Sequence, residues 1–123
     1  MGCYYPFMES LLDLELLSGF APDPQDQADL LQTMLDSLRA DIAQLDQTHD
    51  VQALHRLLHT PKGYLCYATR APVWQSLSEW CERTRQGDDG QAQAFSQIWP
   101  SLKPEMLKLS SAIEAWLSSY HSH

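Results

Sequence analysis

The sequence predicts an all-α protein: an antiparallel up-down four-helix bundle with an additional N-terminal capping helix. Three observations carry this expectation. Apolar residues recur at three- and four-residue spacing through long blocks. Only short connections separate those blocks, which favours antiparallel neighbours. No stretch alternates apolar and polar residues as a half-buried strand would. A chain of 123 residues has room for one core and not two, so residues 1–123 are expected to form a single domain.

The first block runs from about Pro6 to Leu17, with Phe7, Leu11 and Leu14 on one side and Gly19 as a left-handed C-cap. Leu12, Leu16 and Leu17 widen its apolar stripe, so this helix should lie across the end of the bundle or line a partner's docking site. The second block opens with Asp23 as N-cap, Pro24 at the first helical position and Asp26 in the first turn. It should continue to about Gln47, burying Leu30, Leu31, Met34, Leu35, Leu38, Ile42 and Leu45. His49 and Asp50 form a corner, and Asp50 caps the third block. That block keeps Leu54, Leu57, Leu58, Pro61, Leu65 and Ala68 on one side and ends near Ala68 and Thr69.

Thr69 can cap the fourth block, whose first turn tolerates Pro72. Val73, Trp74, Leu77, Trp80 and Cys81 share its inner face. Gly87 then stops that helix, and Asp88 and Asp89 start the next. Pro100 and Pro104 would normally end a helix. Counting from Phe95, however, Ile98, Trp99, Leu102, Met106, Leu109, Ile113, Trp116, Leu117 and Tyr120 hold one register across both prolines. The spacing therefore predicts a single bent helix from about Gly90 to Ser119 with its prolines facing solvent. The rival is two helices broken near Ser101.

Composition narrows the function. The formal net charge of -8 argues against nucleic acid, since phosphate backbones are held by clustered Lys and Arg and the eight here look scattered. No apolar run approaches the roughly 18 residues of a membrane span, so no membrane contact is expected. The opening Met-Gly-Cys-Tyr-Tyr-Pro lacks a secretory signal, and Pro6 stands where a myristoylation motif wants Ser or Thr. Cys3, Cys66 and Cys81 form no paired framework, which suits a reducing cytoplasm. The four tryptophans sit on apolar stripes and read as core. His121 and His123 belong to a polar tail.

The candidate surface for chemistry is the outer side of the third helix, where His55, His59, Lys62, Gly63 and Cys66 fall together. A neutral imidazole with an unperturbed pKa of about 6.5 offers a nucleophilic ring nitrogen near neutral pH and needs only exposure. Lys62, at i+3 from His59, is placed to meet the oxygens of a phosphoryl group on that ring. Gly63, at i+4, has no side chain and costs about 1 kcal/mol relative to alanine inside a helix, which implies close approach there.

The run His59-Thr60-Pro61-Lys62-Gly63 resembles the His-x-Leu-Lys-Gly signature of histidine phosphotransfer (HPt) domains of bacterial phosphorelays. Glu82 to Asp89 also resembles the break before the last helix of that family. Pro61 replaces the family's leucine and should kink the helix at a cost of about 3 kcal/mol. Tyr64 replaces a small residue and should pack on the flank of the core. The resemblance implies a monomeric cytoplasmic module, either stand-alone or at the C-terminal end of a hybrid sensor kinase. In that reading His59 is the phosphoacceptor, through Nε2, Lys62 stabilises the phosphoryl group and Gly63 admits the partner. The partner would be the receiver domain of a response regulator or hybrid sensor kinase, docking with help from the first two helices. The receiver would supply magnesium and the acidic pocket, so no cofactor or metal is expected in this chain. No glycine-rich phosphate loop or kinase signature appears, so no ATP-dependent activity is expected.

Two other readings compete. A bundle without phosphate could bind a receiver or another signalling protein through the leucines of the first helix. Alternatively, His55 and His59 have the i, i+4 spacing of helical metal ligands, with Cys66 on the same side, although zinc sites generally need three or four ligands.

Overall fold

Burial of the leucine stripes sets the architecture. The computed structural model describes residues 11–47 and 49–122 and contains no strand among them. Five helices are described in full: α1 (Leu14–Phe20), α2 (Pro24–Leu45), α3 (Val51–Leu65), α4 (Pro72–Thr84) and α5 (Asp89–His121). Helix α2 packs on α3 and α5, and α4 packs on the same two, while α3 and α5 also touch across the middle. The result is a four-helix bundle with α1 as a cap.

The side chains that meet inside come from all four long helices: Leu31, Leu38, Leu58, Leu65, Leu77, Met106, Leu109 and Ile113 are fully shielded from solvent. Each such side chain contributes about 1.5–3 kcal/mol of transfer free energy. Polar links between α2 and α5 follow in opposite order along the two helices, as antiparallel packing requires. The Tyr120 hydroxyl donates to Gln25 at 2.9 Å, Arg39 meets Glu114 at 2.7 Å, and Trp99 Nε1 and Lys103 Nζ donate to Asp46 at 2.8 and 2.7 Å.

Helix starts follow the anticipated chemistry at three places. The carboxylates of Asp23, Asp50 and Asp88 accept from the backbone N–H groups of Gln25, Ala53 and Gly90, which satisfies donors left free in each first turn. Gly87 takes φ +78° between α4 and α5, a conformation that favours glycine. Thr69, in contrast, is not the cap of α4. Ala71 holds that position without a side-chain bond, and Thr69 Oγ1 instead accepts from the Ala71 N–H inside the preceding loop at 3.0 Å.

The first block departs furthest from expectation. Residues 6–10, including Phe7, lie outside the described residues. Asp13 interrupts the block: its carboxylate caps α1 through the Leu16 N–H, and its own N–H donates to the Ala68 carbonyl at 2.8 Å. Gly19 lies within α1 rather than ending it. The stop comes at Ala21, whose backbone (φ -140°, ψ 84°) has left the helical region because Pro22 follows and disfavours helical backbone in the residue before it. Leu14 faces outward, while Leu12 and Leu17 are buried.

Helix α5 runs unbroken for 33 residues through Pro100 and Pro104, so there is no break at Ser101. Both prolines are exposed, as is Ser96, whose carbonyl loses its usual partner at Pro100. Water can take the bonds that the absent N–H groups do not make.

Candidate functional site

Helix α3 carries His55, His59, Lys62 and Gly63, with Cys66 at its C-cap, and its far end is well tied. An α-helix leaves its last four carbonyls without internal partners. Here the Lys62 carbonyl accepts from Trp74 Nε1 at 2.9 Å and that of Gly63 from the Cys66 thiol at 3.0 Å. The Tyr64 carbonyl accepts from the Tyr67 N–H, and the Leu65 carbonyl from Ala68 and Thr69. Trp74 is thus more than core packing. The helix ends at Leu65, short of the anticipated Ala68, and residues 66–68 form turns. Pro61 is buried and lies inside a continuous helix. Its missing N–H deprives the Leu57 carbonyl of its normal bond without ending the helix.

The outer face divides into two parts. His59 and Gly63 are exposed, whereas His55, Lys62 and Cys66 are half-buried along the edge that meets α4. The rings of His55 and His59 are 6.2 Å apart between centroids and tilted by 48°. His55 Nδ1 lies 2.9 Å from the Cys81 carbonyl oxygen, so this nitrogen carries the proton and donates it. Thr84 Oγ1, 3.3 Å from the same nitrogen, is itself engaged with the Trp80 and Cys81 carbonyls. His55 is therefore anchored to α4, and among the described residues His59 has no such tether.

A Cβ built on Gly63 meets nothing within 4 Å. No packing among the described residues calls for glycine there. Next to it, the Tyr64 hydroxyl donates to Asp41 Oδ2 at 2.7 Å and ties α3 to α2. Burial pushes the Asp41 carboxyl up, with the Tyr64 bond opposing, and the phenol of Tyr64 is raised strongly by burial and by that carboxylate. On α4, one turn from Trp74, Ser78 Oγ is buried with no hydrogen-bond partner among the described residues. Burial also raises the Cys81 thiol, while the positive charges of Lys62 and Arg85 oppose that shift.

His59 is exposed and lines neither of two shallow grooves that open along α3. One, of about 310 Å³, is lined by Gln52, His55, Arg56, Thr84 and Arg85; the other, of about 250 Å³, by Leu16, Cys66, Arg70 and Trp74. A larger groove of about 520 Å³ lies elsewhere, between the α2–α3 corner and the first half of α5. None of the three is lined by His59, Lys62 or Gly63. Among the described residues no three His, Cys, Asp or Glu side chains gather closely enough to hold a metal ion.

The cations are not scattered. Arg56, Lys62, Arg70, Arg83 and Arg85, five of the eight in the chain, lie on the α3–α4 hairpin or its loops. Counting charge by segment rather than over the whole chain would have found this.

No protein-family model, curated protein or solved structure matches this chain.

Proposed function

We propose that this protein is a phosphorelay intermediate that accepts a phosphoryl group on His59 from an aspartyl phosphate of a receiver domain and passes it to another receiver aspartate. The observation that carries this reading is the exposure of His59 on an unbroken helix, one turn before a glycine that packing among the described residues does not require. The lone pair of Nε2 attacks phosphorus as the bond from phosphorus to the aspartyl oxygen breaks. The carboxylate leaves with that electron pair, and the ring proton stays on Nδ1. Lys62 lies at the next turn, where its ammonium steadies the phosphoryl oxygens. Gly63 leaves room for the receiver. Magnesium and the acidic pocket belong to the receiver in this scheme.

A second reading has its own support. Phe20, 57% exposed, stacks edge-to-face on exposed Tyr67 with centroids 4.4 Å apart, and Leu14 is also exposed. This apolar surface suits an interaction module that binds a receiver or another signalling protein without taking phosphate. Incubation with phosphorylated receiver domains separates the two. Wild type should gain one phosphate, located at His59 by mass spectrometry, and His59→Gln should gain none. Equal binding of both forms to a receiver, with label on neither, would establish the interaction module instead.

A further inference from the structure

We infer that the α3–α4 face around His59 is an electrostatic docking surface for a compact protein whose contacting patch is acidic. The hairpin from residue 51 to residue 87 carries five cations and only two carboxylates, Glu79 and Glu82. The rest of the chain then holds three cations against fourteen acidic residues. One hairpin has a surplus of three positive charges on a body with a deficit of eleven. Asp50 and Asp88 stand at its two ends as helix caps.

Position sharpens the count. Arg56 is exposed and lies at i−3 from His59, one of the positions adjacent on a helix surface. With Arg85 and His55 it lines one groove along α3, and Arg70 lines another near the end of that helix. Lys62 lies between. Arg85 shares an exposed ion pair with Glu82 at 2.8 Å, which leaves most of its guanidinium edge to solvent. Arg83 is directed elsewhere: it sits 3.8 Å over the Trp80 ring and bonds Gln91. Of the cations that remain, Arg56 and Lys62 flank His59 at i−3 and i+3 on α3, Arg85 shares a groove with Arg56 and His55, and Arg70 follows the end of the helix.

The charge partition also selects the kind of partner. Nucleic acid carries one negative charge per roughly 1.7 Å of duplex and extends well past a single hairpin, so it would overlie the acidic remainder of the bundle. An anionic membrane, as a plane, meets the same repulsion. A folded protein of ordinary interface size covers about 800 Å² on each side and can confine its negative patch to this face. Opposite fields would then orient the encounter with His59 at its centre. Only the choice of His59 as the centre of this face depends on the phosphotransfer reading; the charge partition does not.

The test uses an acidic decapeptide of alternating Asp and Glu as probe and the backbone amide NMR spectrum of the whole chain as readout. At low ionic strength, shifts should concentrate in residues 55–63 and 82–87. They should fall at least threefold in 0.3 M NaCl and in the Arg56→Glu/Arg85→Glu variant, and persist in Lys108→Glu on α5. Both substituted arginines are exposed, and an unchanged thermal melt will verify that the variant is folded. Absence of shifts at low salt, or shifts undiminished by the double reversal, would overturn the inference. So would a stronger response to a single-stranded dodecanucleotide or to phosphatidylserine vesicles, which would reassign the face to that ligand. Phosphate uptake by His59 is not part of this readout, so either proposal can fail alone.

Discussion

The hydroxyl of Tyr64 donates a 2.7 Å hydrogen bond to the nearly buried carboxylate of Asp41, joining the helix that carries His59 to α2 one residue beyond Gly63. Hydrogen bonds to charged groups contribute about 1.5–3 kcal/mol, and loss of one partner leaves the other desolvated. Tyr64→Phe should therefore lose stability of that order, measured by urea unfolding. A loss below about 0.5 kcal/mol, the range of an ordinary surface substitution, would mean that water replaces the phenol and that the link does not hold α3.

Two carboxylates should give stability opposite dependences on pH. Burial raises the Asp41 pKa in the folded protein above 3.8. The native state then binds more protons than the unfolded one, so this contribution is fully present below 3.8 and is lost as pH rises through the raised value. Bonds from Lys103 and Trp99 lower the Asp46 pKa, so its contribution is present above 3.8 and is lost as pH falls through the lowered value. Urea unfolding between pH 3 and 7 should show Asp41→Asn gaining on wild type as pH rises. Asp46→Asn should lag at neutral pH and converge with wild type in acid. Difference curves of the same sign would refute the assignment.

Much of this architecture was legible because single residues decide helix ends. Asp23, Asp50 and Asp88 cap as their side-chain chemistry dictates, and the apolar register from Phe95 to Leu117 carried α5 across two prolines. Gly19 misled because αL glycine is one way to end a helix, and Pro22 acts through the backbone of Ala21 instead. At the site, periodicity grouped His55, His59, Lys62, Gly63 and Cys66. It did not reveal that α4 covers one edge of that group, because the His55 bond to Cys81 and the Trp74 bond to Lys62 are long-range contacts between side chains and carbonyls. Such contacts leave no periodic trace. The link from Asp41 to Tyr64 is invisible for the same reason.

Gly63 is where the needs of the fold and of the proposed receiver can be told apart. Because an added Cβ meets nothing within 4 Å, Gly63→Ala should raise stability by about 0.5–1 kcal/mol, the difference in helix propensity. If a receiver approaches His59 across this position, phosphate uptake should slow in Gly63→Ala and slow further in Gly63→Leu. Stability comes from urea unfolding and uptake from the time course of label. Undiminished uptake in the leucine variant would remove the glycine from the docking surface.

Pro61 tests how far the bundle has adapted to a residue that helices resist. In a helix interior proline is about 3 kcal/mol less favourable than alanine, and here it deprives the Leu57 carbonyl of its bond. The ring is buried, so replacement by alanine also removes two methylenes from the core at about 0.8 kcal/mol each. Relief of the backbone outweighs that lost burial, and Pro61→Ala should be more stable than wild type by about 1 kcal/mol, seen as a higher urea midpoint at unchanged slope. The backbone amide that the substitution creates should exchange slowly with solvent, since its N–H meets the Leu57 carbonyl. A drop in stability would mean that the packing around the ring outweighs the missing bond, making the proline a fitted part of the core beneath His59.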